Sequence, residues 1–158
     1  MSFKLGLIVN PVAGLGGSVA LKGSDNMTKE ALAKGAVPKA NLRCINALQA
    51  LQRLDIEVFC WAGDMGADCA AAVGLKTTIL GHAATKPSTA QDTLDAAQDI
   101  LAVGVDLILF AGGDGTARDI LNAIRDQVPV VGVPAGVKIH SGVYGITPKA
   151  AGLSLIHI

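Results

Sequence analysis

Aromatic residues and net charge are both scarce in this chain. Phe, Trp and Tyr make up 3% of the 158 residues, and 13 basic side chains balance 13 acidic ones, so the formal charge is zero. The core must therefore be built from aliphatic side chains, which dominate an apolar fraction of 51%. Because proteins that bind nucleic acid through bulk electrostatics carry a basic excess, we expect no nucleic-acid partner.

Several catalytic and targeting signatures are also missing. Cys44, Cys60 and Cys69 have neither CxxC nor CxH spacing, and no HxxxH or GxSxG segment occurs, which argues against zinc hydrolysis and serine acyl transfer. An odd number of cysteines without a pairing pattern predicts buried free thiols in a reducing compartment. No apolar run approaches the ~20 residues of a membrane span, and no signal peptide is visible. We therefore expect a cytoplasmic protein with no membrane partner.

The most informative segment is an apolar strand that runs directly into a glycine turn, where residues 107–116 read LILFAGGDGT. Such strands are typical of parallel sheets covered on both faces, and glycines allow a tight turn and close approach to a ligand. We expect Asp114 in the middle of the turn and a helix over 116–127. Because amides at a helix start bind phosphates, the segment favours a nucleotide site; alternatively, Asp114 only caps the helix.

Strand and helix patterns alternate along the whole chain. This alternation predicts an α/β fold, a doubly wound parallel sheet of Rossmann or flavodoxin type. The expected strands are 3–9, 56–62, 76–80, 105–111 and 128–133. The expected helices are 40–54, 65–73, 116–127 and one that starts at a Ser88–Gln91 capping box and ends at Gly104.

In such a sheet the ligand lies beyond the carboxyl ends of the strands. The loops expected to gather there are 10–17, 63–66, 81–88, 112–116 and 134–141. The length fits one domain, which we place at 1–152 as an N-terminal α/β nucleotide-binding domain. Thr147 and Pro148 resemble the start of a helix, yet the chain stops ten residues later. We expect 153–158 to be a truncated tail that need not be native.

Two further segments supply candidate ligand groups at the same edge. Residues 10–17 read NPVAGLGG, a glycine loop that is neither a P-loop nor GxGxxG and that brings Asn10 to this edge; a flexible turn is the alternative. After the fifth strand, Lys138 could bind a phosphate, while His140 and Ser141 could bond a ribose or phosphate oxygen. Ordinary surface roles explain these three side chains as well.

For other polar residues, the sequence fits a ligand contact and a structural role equally well. Arg118 and Asp119, just after the GGDGT turn, could contact a ligand or pair with each other. An anion site and a well-capped helix start account equally well for His82, Thr85, Lys86 and Thr89.

The glycine turn after an apolar strand, with an NPxxG-type loop after the first strand, resembles the superfamily of NAD kinases, diacylglycerol and sphingosine kinases, and phosphofructokinases. The longer strings GGDGTARDI and PAGVKIHSGVY are more similar to the ATP-NAD kinase-like branch that includes acetoin-catabolism (AcoX-type) proteins. The matching stretches run from Phe3 to about Gly152: NPVAGLGG, GDMGAD, STAQDTLDAA, VDLILFAGGDGTARDI and GVPAGVKIHSGVYGITPKAAG.

This resemblance implies transfer of a phosphoryl group from ATP (or polyphosphate) to the adenosine ribose 2′-hydroxyl of NAD, giving NADP. Asp114 would be the catalytic acid that activates the hydroxyl or organises Mg²⁺. The cofactor contacts that it implies, weakest for the last two, are Asn10, Gly112, Gly113, Gly115, Thr116, Lys138 and Ser141.

Family members continue into a C-terminal, mostly β domain, to which nothing here corresponds. The resemblance therefore implies an N-terminal half that is inactive alone, and it leaves a homo-oligomer of the full-length protein open. A lipid kinase of the same superfamily is one alternative, but such kinases usually carry a PxGTxND-like segment that residues 134–139 do not match. A non-catalytic module that senses ATP or NAD is the other; the intact acid of GGDGT counts against it, whereas the missing domain keeps it open.

Overall fold

The computed structural model describes residues 2–13 and 39–135, which form a parallel sheet with helices on both faces. The sheet order is β3-β2-β1-β4-β5, and every pairing is parallel. The strands are β1 (Phe3–Val9), β2 (Ile56–Trp61), β3 (Lys76–Gly81), β4 (Leu107–Gly112) and β5 (Val130–Pro134). The helices are α1 (Lys39–Gln49), α2 (Ala67–Ala72), α3 (Ala90–Val103) and α4 (Asp114–Ile124), with a 3₁₀ turn at Gly63–Met65. The predicted doubly wound α/β fold is confirmed.

The strand order reverses at β1, which pairs with β2 on one side and with β4 on the other. The chain builds outward from β1 to β3, crosses back over the sheet through α3, and continues through β4 to β5. In open α/β sheets a ligand crevice forms at this switch point, outside the carboxyl ends of the strands. The loops after β1 and β4 therefore occupy the position where a ligand is expected.

Alternate residues of the central strands feed two cores, one on each face. Leu5, Leu7 and Val9 of β1 pack with α1 and α2. Ile8 faces the opposite core, where Phe110 and side chains of α3 and α4 pack. All six residues of β4 are buried, because both faces of the strand are covered. None of the helices in the described ranges combines the length and apolarity needed to cross a bilayer.

Several element boundaries differ from the sequence expectations. Helix α1 ends at Gln49, and the residues up to Leu54, 42% exposed, form turns instead of a last helical turn. Helix α3 is capped one residue later than predicted, because Thr89 forms a reciprocal capping box with Asp92. The backbone N–H of Thr89 donates to the Asp92 carboxylate at 2.8 Å, a charge-assisted bond that a Gln91 amide does not offer. Gly104 ends the helix in the left-handed conformation, as expected.

The three cysteines are buried free thiols, as the sequence predicted. They lie in the core between the sheet and the helices α1 and α2. Burial raises the pKa of the Cys60 thiol to about 12, with a smaller contribution from neighbouring Cys69. The folded state therefore holds the Cys60 proton more tightly than the unfolded chain does.

This pKa predicts a loss of stability in alkali. The stabilisation from neutral Cys60 is fully present below the ordinary thiol pKa of 9.0 and is lost as the pH rises toward 12. Urea unfolding at about pH 8 and about pH 10.5 should show a smaller decline in unfolding free energy for Cys60→Ala than for the wild type. Equal declines in the two proteins would contradict the prediction.

Gly6 gives a second prediction, because β1 passes directly beneath α3 at this residue. A Cβ at position 6 would press on Ile100 Cγ2 and lie 3.1 Å from Ile108 Cγ1. Overpacking of this kind costs about 1–3 kcal/mol, so Gly6→Ala should lower the free energy of unfolding by that amount. Ile100→Ala removes the obstructing methyl, and the double variant should be less destabilised than the two single losses added together. If the two losses of unfolding free energy simply add, the contact with Ile100 is not the cause of the destabilisation by Gly6→Ala.

Candidate functional site

A cleft opens at the switch point, with a volume of about 280 Å³. It lies where the chain leaves β1 and β4 and where α3 begins, so three segments far apart in sequence meet around it. Its lining residues are Asn10, Val12, Ala13, Ser88, Thr89, Ala90, Gly113, Gly115, Thr116 and Asp119. Four predicted cofactor contacts, namely Asn10, Gly113, Gly115 and Thr116, are thus brought together.

Asn10 connects the loop after β1 to the first turn of α4. Its side-chain Nδ2 donates to Thr116 Oγ1 at 2.9 Å, and its Oδ1 accepts from the Val12 N–H at 3.2 Å. Its backbone N–H donates to the Ala111 carbonyl at 2.9 Å. Thr116 is only 4% exposed, so this cross-link forms part of the cleft floor.

The glycines of GGDGT do not adopt the left-handed backbone conformation that the structure records at other glycines. They matter because they have no side chain. A Cβ on Gly112 would lie 2.5 Å from Thr116 Oγ1 and 2.6 Å from Thr116 Cβ, so Thr116 can pack on the end of β4 only because residue 112 lacks a side chain. A Cβ on Gly115 would meet nothing within 4 Å. The lack of a side chain at Gly112 thus allows close packing beneath the cleft, and the space beside Gly115 is open.

Asp114 is the first residue of α4, not the middle of a turn as the sequence suggested. Only Gly113, with extended backbone, separates β4 from the helix, and the first helical bond runs from Ala117 N–H to the Gly113 carbonyl at 3.1 Å. The helix also ends earlier than expected, at Ile124. Asp114 is half-buried and does not itself line the cleft, although its neighbours Gly113 and Gly115 do. Its catalytic and metal-binding roles stay predictions.

The start of α3 forms the opposite wall. The Thr89 hydroxyl accepts from the Asp92 N–H at 3.3 Å, so this side chain serves the helix, which favours the structural explanation for it. His82 and Lys86 are exposed, and neither lines the cleft. Helices α3 and α4 both direct their N-terminal ends to this region, and such ends carry partial positive charge and unpaired N–H groups.

The end of β5 is fixed beside the cleft by two hydrogen bonds. Ala135 N–H donates to the Gly112 carbonyl at 3.1 Å, and Arg43 Nη1 donates to the Pro134 carbonyl at 2.9 Å. The predicted contacts Lys138 and Ser141, as well as His140, follow this point but lie outside the described residues. So do the glycines of residues 14–17 and the predicted tail at 153–158.

The sequence left Asp119 open between a ligand contact and a pair with Arg118, and it did not single out Arg43, which lies near the cleft but does not line it. Asp119 lines the cleft wall one helical turn after Gly115, whereas Arg118 is exposed and does not line the cleft. Arg43 gave no signal, since its contact with Pro134 depends on how α1 packs on the sheet. Within residues 2–13 and 39–135, no group of three or more His, Cys, Asp or Glu side chains could hold a metal ion.

A comparison with known families agrees with this fold. Residues 5–158 match the family described as the ATP-NAD kinase N-terminal domain. The chain belongs to this family. A search among curated proteins found no match.

Two solved structures were compared with the chain. A Bacillus anthracis (strain Sterne) structure described as that of "a putative diacylglycerol kinase" has a TM-score of 0.50 and 22% identity, and the match covers 98% of this chain and 42% of that one. This likeness supports the fold, and the chain spans about two-fifths of that protein's length. A Vibrio parahaemolyticus protein of unknown function has a TM-score of 0.29 and 13% identity over 84% of this chain and 82% of its own, too little to support an argument.

The cross-link between Asn10 and Thr116 can be tested by removing one hydroxyl. Thr116→Val keeps the side-chain shape but leaves Asn10 Nδ2 without its acceptor, which should cost about 1–3 kcal/mol of unfolding free energy. Thr116→Ser is the matched control, because it keeps the hydroxyl and loses only a methyl group. Denaturant unfolding that finds the valine variant at least as stable as the serine variant would contradict the prediction.

Proposed function

We propose that this domain binds ATP and NAD at the switch-point cleft and takes part in phosphoryl transfer to the adenosine ribose 2′-hydroxyl of NAD. Membership of the ATP-NAD kinase N-terminal domain family supports the reaction class. The observation that carries the proposal is the junction of β4 and α4, where Asp114, at the helix N-terminus, lies between two glycines that line an open cleft.

The first turn of α4 suits a phosphate group. Its N–H groups have no earlier helical carbonyl to bind, and the missing side chain of Gly115 lets an anion approach them closely. The helix dipole adds a favourable interaction with negative charge. In this proposal Gly113, Gly115 and Thr116 hold phosphates, and Asn10 keeps Thr116 in place.

Asp114 is proposed to accept the proton of the attacking hydroxyl or to hold Mg²⁺. In phosphoryl transfer, catalysis consists mainly of positioning and charge neutralisation, and a carboxylate can orient and deprotonate the nucleophile. Mg²⁺, when bound, would neutralise charge on the transferred group. It usually binds one or two carboxylates together with substrate phosphates, so the lack of a three-ligand protein cluster in the described ranges fits a metal delivered with the nucleotide.

The alternative acceptor is a lipid, as in the diacylglycerol kinases of the superfamily. The Bacillus anthracis structure carries such a description, but at 22% identity it does not assign the substrate. Residues 134–139 read PAGVKI and lack the PxGTxND-like pattern of lipid kinases, which favours the nucleotide acceptor. An acceptor panel of NAD and diacylglycerol, with ATP as donor, separates the two.

Asp114→Asn tests the proposed reaction in the protein that carries this domain. Loss of a positioned acid–base group lowers turnover by about 10²–10⁴-fold, and we expect NADP formation to fall in this range while the dissociation constants of ATP and NAD change little. Asp55→Asn is the control, because Asp55 is exposed at the opposite edge of the sheet. Wild-type protein that binds both nucleotides without forming NADP would instead support the sensor function.

A further inference from the structure

Asp119 is the charged side chain of the cleft wall. Among the ten described residues that line the cleft, it is the one with an ionisable side chain. It is half-buried and is the sixth residue of α4. Because the favourable effect of a carboxylate on a helix N-terminus is confined to the first turn, helix stabilisation does not explain an acid at this depth.

Helical geometry separates Asp119 from Asp114. Five residues at 3.6 per turn rotate by roughly 140°, so these two carboxylates project from different sides of α4. Asp119 shares its face with Gly115, four residues earlier. The space in front of Gly115 is open, so the face that carries Asp119 is accessible to a ligand in the cleft.

The Asp119 carboxylate has no hydrogen bond or ion pair with the other described residues. By contrast, the neighbouring polar groups are engaged within the protein: Asn10 with Thr116, and Thr89 with Asp92. No described lysine or arginine lines the cleft to neutralise Asp119. Among the described residues, nothing therefore keeps this carboxylate from a ligand in the cleft.

A carboxylate and a phosphate in one small cleft repel each other unless a cation lies between them. Repulsion between like charges about 4 Å apart is appreciable even near a protein surface, and the helix N-termini attract the phosphate into the same space. Mg²⁺ removes the conflict, because it prefers carboxylate and phosphate oxygens as joint ligands. The cation would bring its phosphate ligands with it.

We propose that Asp119 binds the divalent cation that accompanies the nucleotide, so that the cleft selects a metal–polyphosphate complex over a metal-free polyphosphate. The inference rests on the proposed function and adds a residue and a selectivity to it. Asp119 then discriminates against free polyphosphate by repulsion and favours the complex by direct coordination.

The test is a comparison of binding with and without metal in the whole chain. Isothermal titration of ATP, and separately of inorganic tripolyphosphate, is carried out with saturating Mg²⁺ and with EDTA. The wild type should bind both probes more tightly with Mg²⁺. Asp119→Asn should bind the metal-free probes about tenfold more tightly than the wild type does, because the repulsion is gone, and should lose most of the Mg²⁺ enhancement.

Three variants complete the design. Asp119→Glu keeps the charge and should keep the Mg²⁺ enhancement, and Asp126→Asn removes an exposed carboxylate just beyond the end of α4 and should match the wild type. Asp119→Ser replaces the asparagine variant if circular dichroism shows that the latter is unfolded. An unchanged Mg²⁺-to-EDTA affinity ratio in the neutral variant overturns the inference alone. Failure of the wild type to bind either probe under both conditions overturns the proposed function and the inference together.

Discussion

The close packing of Thr116 on Gly112 is the constraint on which the site depends. A helix can follow a buried strand with a single linking residue only if its first turn fits against the strand end, and here a Cβ on Gly112 would overlap Thr116. The short link places the N-terminus of α4 at the mouth of the sheet. The hydrogen bond from Asn10 then joins the loop after β1 to the same turn. The Thr116 side chain therefore contacts the segments that follow both β1 and β4.

The sheet supports this arrangement by burying both faces of its central strands. β1 sends Leu5 and Leu7 to one core and Ile8 to the other, and the same alternation holds along β4. A shift in β1–β4 register by one residue would exchange these faces, so the core fixes the level at which Asn10 and Gly113 leave the sheet. The geometry of the cleft is therefore set by aliphatic packing well below it.

Much of the fold followed from patterns that act locally. Apolar runs with Gly or Pro at their ends gave β1 without error, and Gly104 marked the end of α3 because a left-handed residue there favours glycine. The pattern failed where tertiary contacts decide. The glycines of residues 112–116 suggested a tight turn, yet α4 begins at Asp114, where Thr116 packs against Gly112. The periodicity of leucines extended the predicted α1 to Leu54, but that side chain is 42% exposed and the residues after Gln49 are not helical.

The candidate site was predictable to the extent that its residues follow strands. Asn10 and the GGDGT glycines were placed by the rule that ligands lie at the carboxyl ends of parallel strands. Asp119 was left open between a ligand and Arg118, because its direction depends on the rotation of α4. Arg43 was not singled out, because its contact with Pro134 depends on the packing of α1. A sequence shows which residues lie at an edge more readily than which side of a helix will face it.

In the proposed function, a chain with no net charge binds a polyanion in this cleft. Its described lining contains no lysine or arginine, so within the described residues the proposed attraction for phosphate comes from helix N-termini and exposed amides, which act only at short range. Such a site gives geometric selectivity with little long-range steering. With carboxylates projecting from two sides of the same helix, we propose that the remaining negative charge of the ligand is balanced by a cation that the phosphates and the protein share.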